Sequence, residues 1–87
     1  MNIEQARSII LRPYITEKVY TKMDKDDILA FIVRDKADKT SIKEAIKTLY
    51  NVDAIDVNTA RTIYGKKAYV KFQPGAARDL ATKLGVV

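Results

Sequence analysis

Lys67-Ala68-Tyr69-Val70-Lys71-Phe72-Gln73 alternates residue by residue: Ala68, Val70 and Phe72 are apolar, while Lys67, Tyr69 and Lys71 are basic or aromatic. Successive side chains of a strand point to opposite faces, so the stretch predicts one face on a core and one in solvent. Upstream, Val52 to Tyr64 reads as its hairpin partner, with the turn around Gly65. There Ile55 and Val57 are expected inward, and Asp56 and Asn58 outward. A hairpin makes this part of the sheet antiparallel and points to an α+β class.

Working toward the N-terminus, Ser41 to Leu49 carries a helical stripe: Ile42, Ala45, Ile46 and Leu49 fall at i, i+3, i+4 and i+7. Ser41 and Glu44 have capping-box spacing, with Thr40 as the alternative cap. Arg34 to Lys39 is a charged connection. Before it, Ile28-Leu29-Ala30-Phe31-Ile32-Val33 is unbroken apolar, as expected of a central strand covered on both faces. Asp24 to Asp27 reads as a polar turn. Ahead of that turn, Thr16 caps a helix that places Ile15, Val19 and Met23 on one side. Ser8 to Leu11 is a short β-prone run that stops at Arg12-Pro13. On the other side of the hairpin, Pro74-Gly75 breaks the strand. Ala76 to Leu84 then predicts a last helix with Leu80, Ala81 and Leu84 inward and Gly85 as its stop. The expected architecture is strand-helix-strand-helix-strand-strand in a largely antiparallel sheet, with a short C-terminal helix. It forms one small domain over 1–87.

Composition narrows the function. The chain has no cysteine, so neither disulfides nor thiolate metal sites support the fold. The first five residues lack the charged start and apolar run of a signal peptide, and no apolar stretch approaches membrane-spanning length. A cytoplasmic protein without membrane contact is therefore expected. Histidine is also absent, so without His and Cys the usual general base and the best nucleophile are both missing. Gly65, Gly75 and Gly85 open no phosphate-cradling motif. Asp24, Asp26 and Asp27 lack the glycine and closing glutamate of a calcium loop, and read as a solvated turn. No residue nominates itself for catalysis, and no cofactor, metal or small-molecule substrate is expected.

Sixteen Lys and Arg against eleven Asp and Glu give a net charge of +5. Residues 1–59 are balanced, whereas 60–87 hold Arg61, Lys66, Lys67, Lys71, Arg78 and Lys83 against Asp79 alone. A one-sided excess attracts a polyanion. Lys67, Tyr69 and Lys71 on one sheet face supply charge and a ring for stacking, and Asn58, Thr59, Arg61 and Thr62 add hydrogen-bonding groups. The leading candidates for RNA contact are Arg61, Lys66, Lys67, Tyr69 and Lys71, followed by Arg12, Lys36, Lys39, Thr40, Lys43 and Asn58. A ligand-sensing or protein-interaction module that pairs through sheet edges is the rival reading; it predicts a symmetric dimer indifferent to salt and RNA.

Four blocks, in order, carry a family resemblance. Ile10-Leu11-Arg12-Pro13-Tyr14-Ile15-Thr16-Glu17-Lys18 resembles the opening signature of large-subunit ribosomal protein twenty-three. Ala37 to Ala45 resembles the family's lead into its helix, and Val57-Asn58-Thr59 with Lys66 to Phe72 resembles its hairpin. Asp79 to Gly85 resembles the archaeal ending. The resemblance implies a protein that binds large-subunit rRNA at the rim of the polypeptide exit tunnel, among neighbouring ribosomal proteins. It also implies a docking point for nascent-chain factors, including the signal recognition particle. In bacterial members the Glu of the opening block anchors a ribosome-bound chaperone. The matching position is Glu17, with Tyr14, Lys18 and Tyr20 as its candidate surroundings. Bacterial members carry a long basic hairpin loop; here only Tyr64-Gly65-Lys66 is expected between the strands, which resembles the archaeal or eukaryotic type.

Overall fold

The apolar run Ile28–Val33 forms β2, and from Leu29 to Val33 every residue is buried. In this computed structural model, which describes residues 1–85, β2 lies inside a four-stranded sheet of order β1-β2-β4-β3. Its neighbours are β1 (Ile10–Pro13), β3 (Ala54–Thr62) and β4 (Gly65–Phe72), and each pairing is antiparallel. Helices α1 (Ile3–Ile9), α2 (Glu17–Asp26), α3 (Lys39–Tyr50) and α4 (Ala76–Leu84) complete the described chain. The expected α+β class, order and C-terminal helix are all present, with one further helix in front. Positions 86 and 87 of the expected domain lie outside the described residues.

That extra helix corrects the reading of Ser8 and Ile9 as strand. Asn2 Oδ1 accepts from the Gln5 N–H (2.8 Å), and Gln5 Oε1 accepts from the Asn2 N–H (3.1 Å). This reciprocal cap satisfies two otherwise orphaned donors, and Ala6 and Ile9 then fall one turn apart on a buried side. The strand begins only at Ile10 and continues through Pro13, because β1 is an edge strand where a missing N–H costs no ladder bond.

Two further boundaries move for local reasons. Helix α3 starts from Asp38, whose carboxylate accepts from the Ser41 N–H at 2.7 Å. Neither Ser41 nor Thr40 is the cap; both lie inside the first turn. Those hydrogen bonds from Ser41 also hold the Asp38 carboxyl below its usual range. Helix α2 does start at the predicted cap, with Thr16 Oγ1 accepting from the Val19 N–H at 3.3 Å. It runs on through Asp26, so the polar turn shrinks to Asp27 in a left-handed conformation (φ 56°). The Asp27 carboxylate accepts from the Gly75 N–H at 2.8 Å, which ties this turn to the start of α4.

Directly opposed residues of an antiparallel pair share a face, so the register sorts the sheet. Leu29, Phe31 and Val33 align with Val70, Ala68 and Lys66, and these with Val57, Thr59 and Arg61. This inner face makes one core with Ala6 and Ile9 of α1, Ile42, Ala45 and Ile46 of α3, and Ala77, Leu80 and Ala81 of α4. Phe31 stacks on Tyr50 at a ring separation of 6.0 Å. One expected core residue is absent from it. A bulge between Ala54 and Asp56 turns Ile55 out, 46% exposed, while Val57 remains fully buried.

Candidate nucleic-acid interface

The opposite face is assembled from all four strands. Its rows read Ile28–Lys71–Asp56, Ala30–Tyr69–Asn58 and Arg12–Ile32–Lys67–Ala60. Lys67, Tyr69, Lys71, Asn58 and Arg12 therefore share one side, and Arg12 joins it only because a bulge after Ile10 resets the register of β1. Arg12, Asn58 and Lys71 are exposed, and Lys67 and Tyr69 are half-buried. Asp56 is the acid opposite Lys71, and its Oδ1 accepts from the Val57 N–H at 2.9 Å. No acid occupies the other two rows.

Aromatic rings hold two lysines in place. The Lys67 ammonium sits 3.9 Å from the Tyr14 ring centroid and 5.9 Å from that of Tyr64. Tyr14 is anchored beside β2 by its own N–H, which donates to the Ala30 carbonyl at 2.9 Å. Lys22 of α2 reaches over Tyr69 at 5.9 Å, so one flank of that helix borders the same face. An ammonium over an aromatic ring is stabilised by the ring quadrupole yet keeps its charge available to an anion. Cations beside rings and an amide suit phosphate contact and base stacking.

Arg61 and Lys66 do not belong to this set. They oppose each other on the inner face and engage the loop before α3. Arg61 forms an ion pair with Asp35, and the Lys66 ammonium donates to the Ala37 carbonyl at 2.6 Å. They thereby brace the segment that carries the Asp38 cap. Lys36, Lys39, Thr40 and Lys43 are exposed around that loop and the first turns of α3, and Lys43 donates to the Ile55 carbonyl of β3 at 3.3 Å. They form a separate group along the β3 side of the molecule.

The expected docking residues are also divided. Glu17 and Lys18 are exposed in the first turn of α2, and Tyr20 is 39% exposed a turn further on. At helical spacing Glu17 lies on the side away from the buried Val19 and Met23, Tyr20 flanks Met23, and Lys18 shares the other flank with Lys22. Tyr14 sits instead under Lys67. Sequence reasoning missed Lys22 and Tyr64. Lys22 was within reach, since it follows Lys18 by four residues; Tyr64 was hidden by placing the turn one residue late. The turn is Ile63-Tyr64, with Gly65 already paired to Thr62. Among the described residues, no cluster of three acids could hold a metal ion, and no helix is long and apolar enough to cross a membrane.

Comparison with known proteins finds similarity to one family. A family model described as ribosomal protein L23 matches residues 8–80. The large ribosomal subunit protein uL23A of Caenorhabditis elegans is 43% identical over 81 residues, covering 91% of this chain and 55% of the worm protein. The chain thus spans about half the length of that curated relative.

Proposed function

The chain belongs to the ribosomal protein L23 family, and on that premise we propose that it is a non-catalytic protein of the large ribosomal subunit that binds the subunit's rRNA. The observation that carries this reading is the gathering of Arg12, Lys67, Tyr69, Lys71 and Asn58 on the sheet face opposite the main helical core, around the buried Ala30 and Ile32 of β2. Lys36, Lys39, Thr40 and Lys43, with Arg61 nearby, offer a second and separate contact to the same RNA. In this reading the protein resides in cytoplasmic ribosomes, at the rim of the exit tunnel, beside other large-subunit proteins. Glu17 then serves a nascent-chain factor such as the signal recognition particle. A carboxylate facing phosphates is repelled, so this exposed end of α2 suits a protein partner better than RNA.

The test is cosedimentation of the native protein with the large subunit over a salt series. About five cations that each displace a counterion lower log K by roughly four for every tenfold rise in monovalent salt. Release only at high salt is expected. A symmetric dimer that ignores both RNA and salt would instead support an edge-pairing interaction module.

A further inference from the structure

Ile63 and Tyr64 are the two apex residues of the β3–β4 hairpin, and they are 92% and 61% exposed. Two-residue turns ordinarily carry small polar residues and glycine. Two large side chains at this apex leave most of their surface in solvent. The turn is nevertheless well built. The Tyr64 N–H donates to Thr62 Oγ1 at 3.2 Å, and that hydroxyl donates to the Gly65 carbonyl at 3.0 Å. The positive φ needed to close the hairpin falls on Gly65 (115°) and not on either apex residue. The Tyr64 ring lies 6.5 Å from that of Tyr14 at an interplanar angle of 35°, with the Lys67 ammonium beside both. A ring presented this way loses little freedom on binding.

We infer that the hairpin tip is a stacking site for an unpaired RNA base, with Tyr64 under the base and Lys67 and Arg12 receiving its phosphates. The inference deepens the RNA-binding reading above and rests on it. Charge selects the occupant. Behind the closing pair Thr62–Gly65, the next row on the same face is Arg12–Ile32–Lys67–Ala60, two cations and no acid, so the tip favours a flat group with a negative tail. A nucleotide outside a helix is such a group. A continuous duplex is not, because its bases are stacked on one another and it presents mainly phosphates and 2′-hydroxyls. An apolar pocket on a protein would accept Ile63 and Tyr64 but has no need of the two cations.

The experiment uses the full chain and two RNA hairpins at one low salt concentration. One hairpin carries a single bulged fluorescent purine analogue, and the other is fully paired. The bulged RNA should bind about tenfold more tightly, with quenching of the purine, since one base on one ring is worth on the order of that factor. Tyr64→Ala should abolish the preference without changing the melting temperature, and Tyr64→Phe should keep it. Equal, salt-sensitive binding of both RNAs by the unmodified protein overturns the stacking site and leaves the electrostatic reading standing. Salt-insensitive or absent binding of both overturns the two together. A preference that survives Tyr64→Ala removes the site from the tip. Loss of a neighbouring protein from ribosomes carrying Tyr64→Ala, with RNA affinity unchanged, assigns the tip to a protein pocket.

Discussion

Lys66 and Lys67 are adjacent in sequence, equal in charge and opposite in consequence. The Lys66 ammonium is half-buried on the helix side and donates to the Ala37 carbonyl at 2.6 Å. A hydrogen bond from a charged donor contributes about 1.5–3 kcal/mol, and partial exposure trims that to about 1–2 kcal/mol. In a domain of this size each kcal/mol moves Tm by about 4–8 °C, so Lys66→Ala should lower Tm by about 5–15 °C. Its RNA affinity should keep the same salt dependence, because Lys66 does not reach the open face. Lys67→Ala removes a cation from that face. Its contact with Tyr14 is worth only about 0.5–1 kcal/mol, but the slope of log K against log salt should become shallower by about 0.9. Thermal melts and RNA titrations over a salt series on both variants give the four numbers. If Lys66→Ala flattened the salt dependence as much as Lys67→Ala and left Tm alone, the division of the sheet into a structural and a binding face would be wrong.

Three further outcomes follow from the same geometry. Val70→Ala should cost about 1–3 kcal/mol in chemical denaturation and leave the salt slope of RNA binding unchanged, since Val70 is fully buried between Leu29 and Val57. Glu17→Ala should lower domain stability by no more than about 1 kcal/mol, leave rRNA binding intact and weaken signal recognition particle binding to ribosomes carrying it; unchanged affinity would reduce Glu17 to a helix-start residue. Burial raises the Tyr50 phenol above its usual value, so the stability it contributes is present below about pH 10 and is lost as pH rises through the folded value. Asp38 is depressed, so its contribution is present above about pH 4 and is lost as pH falls through the folded value. Melts across pH should show both limbs, with Tyr50→Phe flattening the alkaline one and Asp38→Asn the acid one.

Periodicity and caps alone determined most of the architecture. The alternation of Ala68, Val70 and Phe72, the apolar run of β2 and the stripe Ile42-Ala45-Ile46 each state a local preference that the packed chain keeps. Thr16 was legible as a cap because its partner is three residues away. The same logic, applied to Asn2 and Gln5, would have found α1. Charge behaved differently. The excess over residues 60–87 suggested a polyanion as partner, but it did not outline a surface. Arg61, Lys66 and Arg78 are drawn into contacts with Asp35, Ala37 and Asp24, whereas Arg12 and Lys22 from the balanced part of the chain join the open face. Strand alternation assigns Lys66 and Lys67 to opposite sides, and only the register against β2 and the position of the helices decide which side is wet. The bulges at Leu11 and Ile55 act likewise: one extra residue reverses every side chain beyond it, and pairing with a distant strand decides where that residue goes. Local free energies are written in neighbouring residues, whereas a face is a property of strands that are distant in sequence, and it exists only once they are paired.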